Sequence, residues 1–361
     1  MKVCIVAGGS GGHIYPALTF SDYLKEKGSY DIFYIGNDHK MEARIIPEAG
    51  YPFYSISNQG LQGSHWDKVK AVFGQFKAIL DSRKHLKKLK PDLVFAFGGY
   101  VTLPVVIAAK SLGIKIALHE QNAFVGKANK WVSGLVDVIF TCYEEAFKGN
   151  DKVYMFGNPR AALGQDKRKD PVEMDRIGLD KDKRMVLIVM GSQGSDTMNK
   201  LIQEAFIPLK DIDYQIVFVT GPLEYDEFVD DIKGKTVPKN IFIESYVNQA
   251  KLMPYTNLIV ARAGASTITE IAAFRTPSIL IPSPYVANNH QYFNAQALYK
   301  KQATVLLEEK DLNLDSFIQA IENTLNNQAL LEDMKENVAV FDTPLVNDNI
   351  LDVILKVVNH E

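Results

Sequence analysis

Four short glycine-marked segments hold the residue types that chemistry on a phosphate-bearing molecule would need. They are Gly8-Gly9-Ser10-Gly11-Gly12-His13, Gly98-Gly99-Tyr100, Gly191-Ser192-Gln193-Gly194 and Arg262-Ala263-Gly264-Ala265-Ser266-Thr267. A glycine lets backbone N–H groups approach an anion closely, and a helix starting just afterwards adds its positive end. Glycine also serves ordinary strand-to-helix turns, so any one segment alone says little. Four in one chain, divided between its two halves, point to a phosphate-bearing ligand held between those halves.

The type of ligand is narrowed by what the loops lack. The first loop has no GxxxxGK[ST] pattern, which excludes a P-loop nucleotidase. Its glycines also miss the dinucleotide spacing, because Ile14 stands where the third glycine belongs. Asp38, after the second strand candidate, still keeps a ribose-binding acid and hence a dehydrogenase in view. Gly8 to Gly12 also fits G-x-S-x-G, the hydrolase nucleophile elbow, but that elbow normally follows several strands and here would close the first.

Three side chains in these loops have two readings each. His13 opens a helix among glycines: it is either a capping or core histidine, or a general base for a sugar hydroxyl, kept neutral by the helix N-terminus. Glu270 forms a capping-box pattern with Thr267, which spacing alone favours, and it could equally accept both hydroxyls of a nucleotide ribose. Arg262 could face a diphosphate or pair with a nearby carboxylate. The other histidines lack metal-ligand spacing, so no protein-bound metal is expected.

The elements that must position these groups follow from patterning. The chain has 361 residues, 47% hydrophobic and 23% charged, which is ordinary globular composition. Its formal charge of −3 disfavours a nucleic-acid-binding role. Two cysteines, Cys4 and Cys142, both in apolar runs, argue against a disulfide framework or structural zinc and fit a reducing cytoplasm. Strands are expected at Val3–Ala7, Ile32–Ile35, Leu93–Phe97, Ile114–Leu118, Val136–Thr141 and Val153–Phe156. In the second half they are expected at Val186–Met190, Gln215–Val219, Ile241–Glu244, Leu258–Ala261 and Ser278–Ile281. Helix-period stretches between them include Tyr15–Lys27, Leu103–Leu112, Thr197–Phe206 and Ile268–Phe274. This alternation predicts an α/β protein of two Rossmann-like domains with parallel sheets facing a cleft. A polar, charged stretch over 161–184 reads as the link between domains 1–160 and 185–342.

Trp66–Lys90 combines Val69, Val72, Phe73, Phe76 and Leu80 at helical spacing with many lysines and few acids. It is either a surface helix packing its apolar face on the sheet, or a basic amphipathic patch for anionic lipid. The N-terminus reaches glycine too early for a signal-peptide core, and no apolar run is long enough to span a bilayer.

The ordered set Gly8–Pro16, Gly98-Gly99-Tyr100-Val101, His119-Glu120-Gln121-Asn122, Gly157-Asn158-Pro159-Arg160, Gly191–Gly194, Arg262 through Glu270 and His290–Ala295 resembles the MurG family of bacterial cell-wall N-acetylglucosaminyltransferases. The resemblance covers nearly the whole chain. It implies the glycosyltransferase-B architecture, with an N-terminal acceptor domain, a C-terminal donor domain, and a last segment, 343–361, whose helix returns to the first domain. It also implies inverting transfer of GlcNAc from UDP-GlcNAc to the C4 hydroxyl of the MurNAc sugar of lipid I, giving lipid II. By resemblance Ser192, Val247, the run from Arg262 to Glu270 with Ala265, Ser266 and Thr267, and Gln291 line the donor pocket, with Glu270 on the ribose and Ser192 on the diphosphate. Arg160 is the arginine expected at the donor phosphates, and Ser10, Gly11, Gly12 and Asn122 lie near the acceptor, with His13 the candidate base. The family usually carries threonine at the position of Ser10, and some members have Gln-Gln in place of His290-Gln291. No cofactor is implied. The implied partners are lipid I, anionic inner-leaflet lipid met through Trp66–Lys90 on the cytoplasmic face of the membrane, and other proteins of cell-wall synthesis. A glycolipid glycosyltransferase or a UDP-GlcNAc epimerase would share the architecture.

Overall fold

The computed structural model describes residues 1–57, 65–165, 170–191 and 194–359, with backbone alone at 65–73, 165 and 287. The chain divides into two units, one formed by Met1–Ala162 with Thr343–Glu361 and the other by Leu163–Asp342.

The first unit begins with β1 (Lys2–Ala7), α1 (Gly11–Lys27), β2 (Asp31–Asn37), α2 (Glu42–Glu48), β3 (Phe53–Ile56) and α3 (His65–Leu89). It continues with β4 (Leu93–Gly98), α4 (Thr102–Ser111), β5 (Lys115–Glu120), α5 (Lys127–Val132), β6 (Val138–Thr141) and β7 (Val153–Met155). The seven strands lie in the order β3-β2-β1-β4-β5-β6-β7, and every pairing is parallel. A parallel sheet is covered on both faces, which is why its central strands read as continuous apolar runs. Val3, Ile5 and Ala7 pack with Ile14, Ala17 and Phe20 of α1 on one face. Cys4 and Val6 pack with Val105, Val106 and Ala109 of α4 on the other.

The second unit holds α6 (Val172–Ile177), β8 (Met185–Val189), α7 (Asp196–Ala205), β9 (Gln215–Val219), α8 (Tyr225–Asp231), β10 (Ile241–Glu244) and α9 (Gln249–Leu252). Then come β11 (Leu258–Ala261), α10 (Ala265–Phe274), β12 (Ser278–Leu280), α11 (His290–Tyr299), β13 (Val305–Leu306), α12 (Leu314–Leu325) and α13 (Gln328–Val338). Its six strands run β10-β9-β8-β11-β12-β13, again all parallel. All eleven expected strands form. The two unexpected ones, β3 and β13, are edge strands, where one side of the ladder is unpaired and a four- or two-residue run carries little pattern.

The last helix, α14 (Val346–Asn359), belongs to the first unit. Val346, Ile350 and Ile354 recur at one-turn spacing and enter the same core as Val3, Phe20 and Phe95. Asp348 accepts from Tyr23 Oη at 2.6 Å and Lys27 Nζ at 2.8 Å, fixing the helix against α1. These two donors hold the Asp348 carboxyl below its ordinary range.

Candidate functional site

In a doubly wound sheet, ligands bind beyond the carboxyl ends of strands where the strand order reverses. That reversal falls between β1 and β4 in the first unit and between β8 and β11 in the second. The four glycine-marked loops follow these four strands. Each unit therefore presents two of them side by side at its own switch point.

In the first unit, β1 ends and α1 begins across Gly8–Ser10. Ser10 is the N-cap residue, extended at φ −156° and ψ 158°, and its carbonyl accepts from the N–H of His13 and of Ile14. Its hydroxyl does not cap the helix. Instead Ser10 Oγ lies 3.0 Å from His13 Nδ1, and that same nitrogen lies 2.9 Å from the carbonyl oxygen of Gly8. A carbonyl can only accept, so Nδ1 carries the proton and the neutral imidazole has its basic lone pair at Nε2. The ring lies against the backbone of Gly98 at the end of β4. Gly99, at φ 89°, sits so close to the Gly8 carbonyl that a Cβ there would overlap it.

Glu42 completes this loop and escaped the sequence reading. Its carboxylate is fully buried and accepts from the N–H of Gly9 at 3.0 Å and of Asn37 at 3.1 Å. Asn122 is held by a second buried carboxylate, Glu120, which accepts from the backbone N–H and side-chain amide of Asn122 at 3.1 and 3.2 Å. Gly126 N–H and the Asn129 amide, both at 2.9 Å, complete its partners. Burial pushes the Glu120 carboxyl up, against the pull of these donors. The Arg160 guanidinium lies over the Tyr15 ring, 5.5 Å from its centroid, and the Arg160 N–H bonds Asn158 Oδ1. Asp38, the residue that kept a dehydrogenase in view, sits beside the His39 ring at the surface.

In the second unit, Ser192 lies outside the described residues. Gly264 is the N-cap residue of α10, with no side-chain cap. Ala265, Ser266 and Thr267 form the helix's first turn, so the capping box read from Thr267 and Glu270 is not made. Glu270 stands one turn further in, buried, and accepts from Gln249 Nε2 at 2.7 Å. Gln249 opens α9 two residues after buried Val247, so Val247 and Glu270, distant in sequence, come to one place. Ser266 Oγ is fully covered with no partner among the described residues. Gln291 Oε1 accepts from Ser283 N–H at 2.9 Å and so shapes the turn after β12. Asn294, which the motif His290–Ala295 contained without a role, donates to the carbonyl of Ala263 at 3.2 Å and steadies the loop after β11.

Arg262 takes the second of its two readings. Its Nη1 lies 2.6 Å from Glu309 Oε2, with both side chains under a tenth exposed. Among the described residues no group of three or more His, Cys, Asp or Glu has the arrangement to hold a metal ion.

The α3 helix corrects one expectation. The face that packs carries Ala78, Ser82 and Leu86, all fully buried. Phe76 and Leu80, one turn apart, are instead 65% and 66% exposed. Lys77, Lys84, Lys87 and Lys88 are exposed as well. The side chains of Trp66, Val69, Val72 and Phe73 lie outside the described residues. No described helix is long and apolar enough to cross a membrane.

Two Rossmann-type units with paired glycine loops at their switch points are the architecture of the B-type glycosyltransferases. The chain belongs to glycosyltransferase family 28: its N-terminal-domain model matches residues 3–141 and its C-terminal-domain model residues 185–350. A Bacillus cereus UDP-N-acetylglucosamine–N-acetylmuramyl-(pentapeptide) pyrophosphoryl-undecaprenol N-acetylglucosamine transferase is 38% identical, over 99% of this chain and 100% of its own. A transferase of the same description from Halalkalibacterium halodurans is 38% identical over 95% of this chain and 96% of its own. The crystal structure of MurG from Acinetobacter baumannii superposes with a TM-score of 0.79 at 27% identity, covering 98% of this chain and 99% of that one.

Proposed function

We infer that this chain transfers N-acetylglucosamine from UDP-N-acetylglucosamine to the C4 hydroxyl of the N-acetylmuramyl sugar of a polyprenyl-pyrophosphate-linked muramyl-pentapeptide, with inversion at the anomeric carbon. The observation that carries this reading is the 38% identity, over 99% of the chain, to a curated transferase of that description. Inversion by single displacement forms the bond from the acceptor O4 to the anomeric carbon as the bond to the UDP oxygen breaks. The acceptor hydroxyl proton must leave with that step.

His13 supplies the base. With the Nδ1 proton held by the Gly8 carbonyl, Nε2 is the atom that takes up the hydroxyl proton. The acceptor side is built by Ser10, Gly11, Gly12 and Asn122, the last fixed by Glu120. On the donor side Glu270 accepts from the ribose hydroxyls beside Val247, Ala265, Ser266 and Thr267 line the pocket, and backbone N–H groups with the loop carrying Ser192 donate to the departing diphosphate. Arg160 adds positive charge for the donor phosphates, and Gln291 fixes the turn beside the sugar. No cofactor is required by this scheme, and the chemistry runs on the chain's own hydrogen-bond donors and one base.

The exposed Phe76 and Leu80 with the lysines around them support a contact of α3 with anionic lipid, at the cytoplasmic surface where the lipid-linked acceptor is presented. Other proteins of cell-wall synthesis are the natural company of an enzyme working there.

The test is transfer of radiolabel from UDP-N-acetylglucosamine into a short-chain analogue of the lipid-linked acceptor, using wild type and His13→Ala. Label entering lipid only with acceptor present is the expected result, with His13→Ala slower by about 10²- to 10⁴-fold and UDP binding intact. Donor consumed or epimerised without acceptor would overturn the transferase reading in favour of an epimerase.

A further inference from the structure

We propose that Glu309 is a positioning residue for the donor diphosphate, acting through Arg262 on the N-terminus of α7. This rests on the reading that the second unit binds UDP. Arg262 leaves the end of β11 at the switch point and is 6% exposed. Among the described residues its guanidinium makes three contacts: Nη1 to Glu309 Oε2 at 2.6 Å, Nη1 to the Ile281 carbonyl at 3.1 Å, and Nη2 to Ser195 Oγ at 2.8 Å. Glu309 lies just past β13, and its other oxygen accepts from Thr197 Oγ1 at 3.1 Å. Ser195 is the N-cap of α7 and Thr197 lies in its first turn.

One ion pair thus grips the start of α7 at two hydroxyls, Ser195 from the guanidinium and Thr197 from the carboxylate. The same pair ties in the ends of β11 and β12 and the segment after β13. The helix it grips follows Gly194, on the loop after β8, where backbone N–H groups and the helix dipole favour an anion. A buried ion pair is a poor source of net stability, because desolvation offsets most of the attraction. What it supplies is direction: the planar guanidinium meets one carboxylate oxygen, the Ile281 carbonyl and the Ser195 hydroxyl at fixed angles, and the other carboxylate oxygen takes Thr197. The network also borders open space, since Thr197 and Glu309 line a cavity of about 330 Å³ together with Tyr285, Tyr292 and Lys310. A pair serving the core alone would have no reason to sit there.

This placement predicts a specific pattern of losses. Disturbing Glu309 should loosen what holds phosphate while leaving the pocket for the nucleoside, on α9 and α10, unchanged. The experiment compares binding of UDP and of uridine by competition and by NMR titration, for wild type, Glu309→Gln and Thr197→Val, with thermal midpoints recorded for each. Expected is UDP binding weakened about tenfold in Glu309→Gln and a few-fold in Thr197→Val, with uridine binding unchanged in both. In turnover the loss should appear in KM for the donor rather than in kcat. Thr197→Val removes one hydroxyl and leaves no buried charge unpaired, so it decides the matter should Glu309→Gln fail to fold. UDP and uridine weakened equally, or UDP binding untouched in both variants, would overturn the proposal. A wild-type protein that binds no UDP would instead overturn the transferase reading.

Discussion

Gly98 lies so close to His13 that a Cβ at this position would stand 2.6 Å from the imidazole Cδ2 and 2.8 Å from Nε2. The backbone there is at φ 115°, a conformation that L side chains rarely adopt. The ring stands in the first turn of α1, just after β1, and the glycine ends β4; these two strands flank the first switch point. Gly98→Ala should therefore push the imidazole off its bond to the Gly8 carbonyl. The expected outcome is a fall in kcat of about 10²-fold or more with UDP affinity unchanged, read from steady-state transfer and a UDP titration. Turnover within a factor of about two of wild type would show that the ring need not sit where it does.

Glu270 offers a second test. Its carboxylate is buried and bonded to Gln249, so replacing it by alanine removes an acceptor from a closed pocket. If it holds the ribose hydroxyls, Glu270→Ala should weaken UDP binding by roughly 10- to 100-fold, equivalent to about 1–3 kcal/mol. The 2′,3′-dideoxy nucleotide should bind wild type and variant alike. Equal losses for both nucleotides would place the carboxylate in a structural role.

Acid should unfold the first unit partly through His119. Its ring is fully buried, 3.0 Å from the Gly157 carbonyl and stacked on Phe97, and burial lowers its pKa from 6.5 to about 4. Above pH 6.5 neither folded nor unfolded chain is protonated there and the full stability is present. As pH falls below 6.5 the unfolded chain binds a proton that the folded one refuses, so stability drops until about pH 4, where both bind it. The loss amounts to roughly 3 kcal/mol across that window. Neighbouring Glu120 is shifted upward and contributes in the opposite sense, so the comparison must be with His119→Gln, where Glu120 is retained. Urea denaturation of the two proteins between pH 7 and 4 should give a shallower slope for the variant.

If α3 meets lipid as proposed, its exposed apolar pair and its lysines should make separable contributions to binding. Lys84→Glu, Lys87→Glu and Lys88→Glu together should weaken sedimentation with anionic vesicles and remove its salt dependence. Phe76→Ser with Leu80→Ser should weaken binding to anionic and neutral vesicles alike. All five positions are exposed, so the thermal midpoint should not move by more than a few degrees. Unchanged sedimentation in both variants would remove this helix from any lipid contact.

The sequence reading reached furthest where signals are local. Central strands buried on both faces announce themselves as apolar runs, and a glycine loop marks where each of the two switch-point pairs ends. Edge strands β3 and β13 carry no such run. Glu42 was invisible because its partner Gly9 is 33 residues away and only the β1–β2 pairing brings them together. The same holds for Glu309, whose partner Arg262 sits two strands across the sheet. Thr267 and Glu270 show the opposite failure. Their spacing fits a capping box, but the chain enters α10 at Gly264, which puts Thr267 inside the helix. On α3 the apolar spacing was real, yet Ala78, Ser82 and Leu86 form the packing face, turned toward α4 and β3.

The return of α14 to the first unit carries a consequence for synthesis. Val346, Ile350, Leu351 and Ile354 fill a core otherwise made by residues before 162. A ribosome delivers the chain in order, so the whole of the inserted unit, Leu163–Asp342, emerges before the first unit has its final helix. Until then the part of that core which α14 covers, over β5 and β6, stands open. The unit begun first is therefore the one finished last, and a nascent chain stalled before residue 346 would carry a first unit that has yet to close its core.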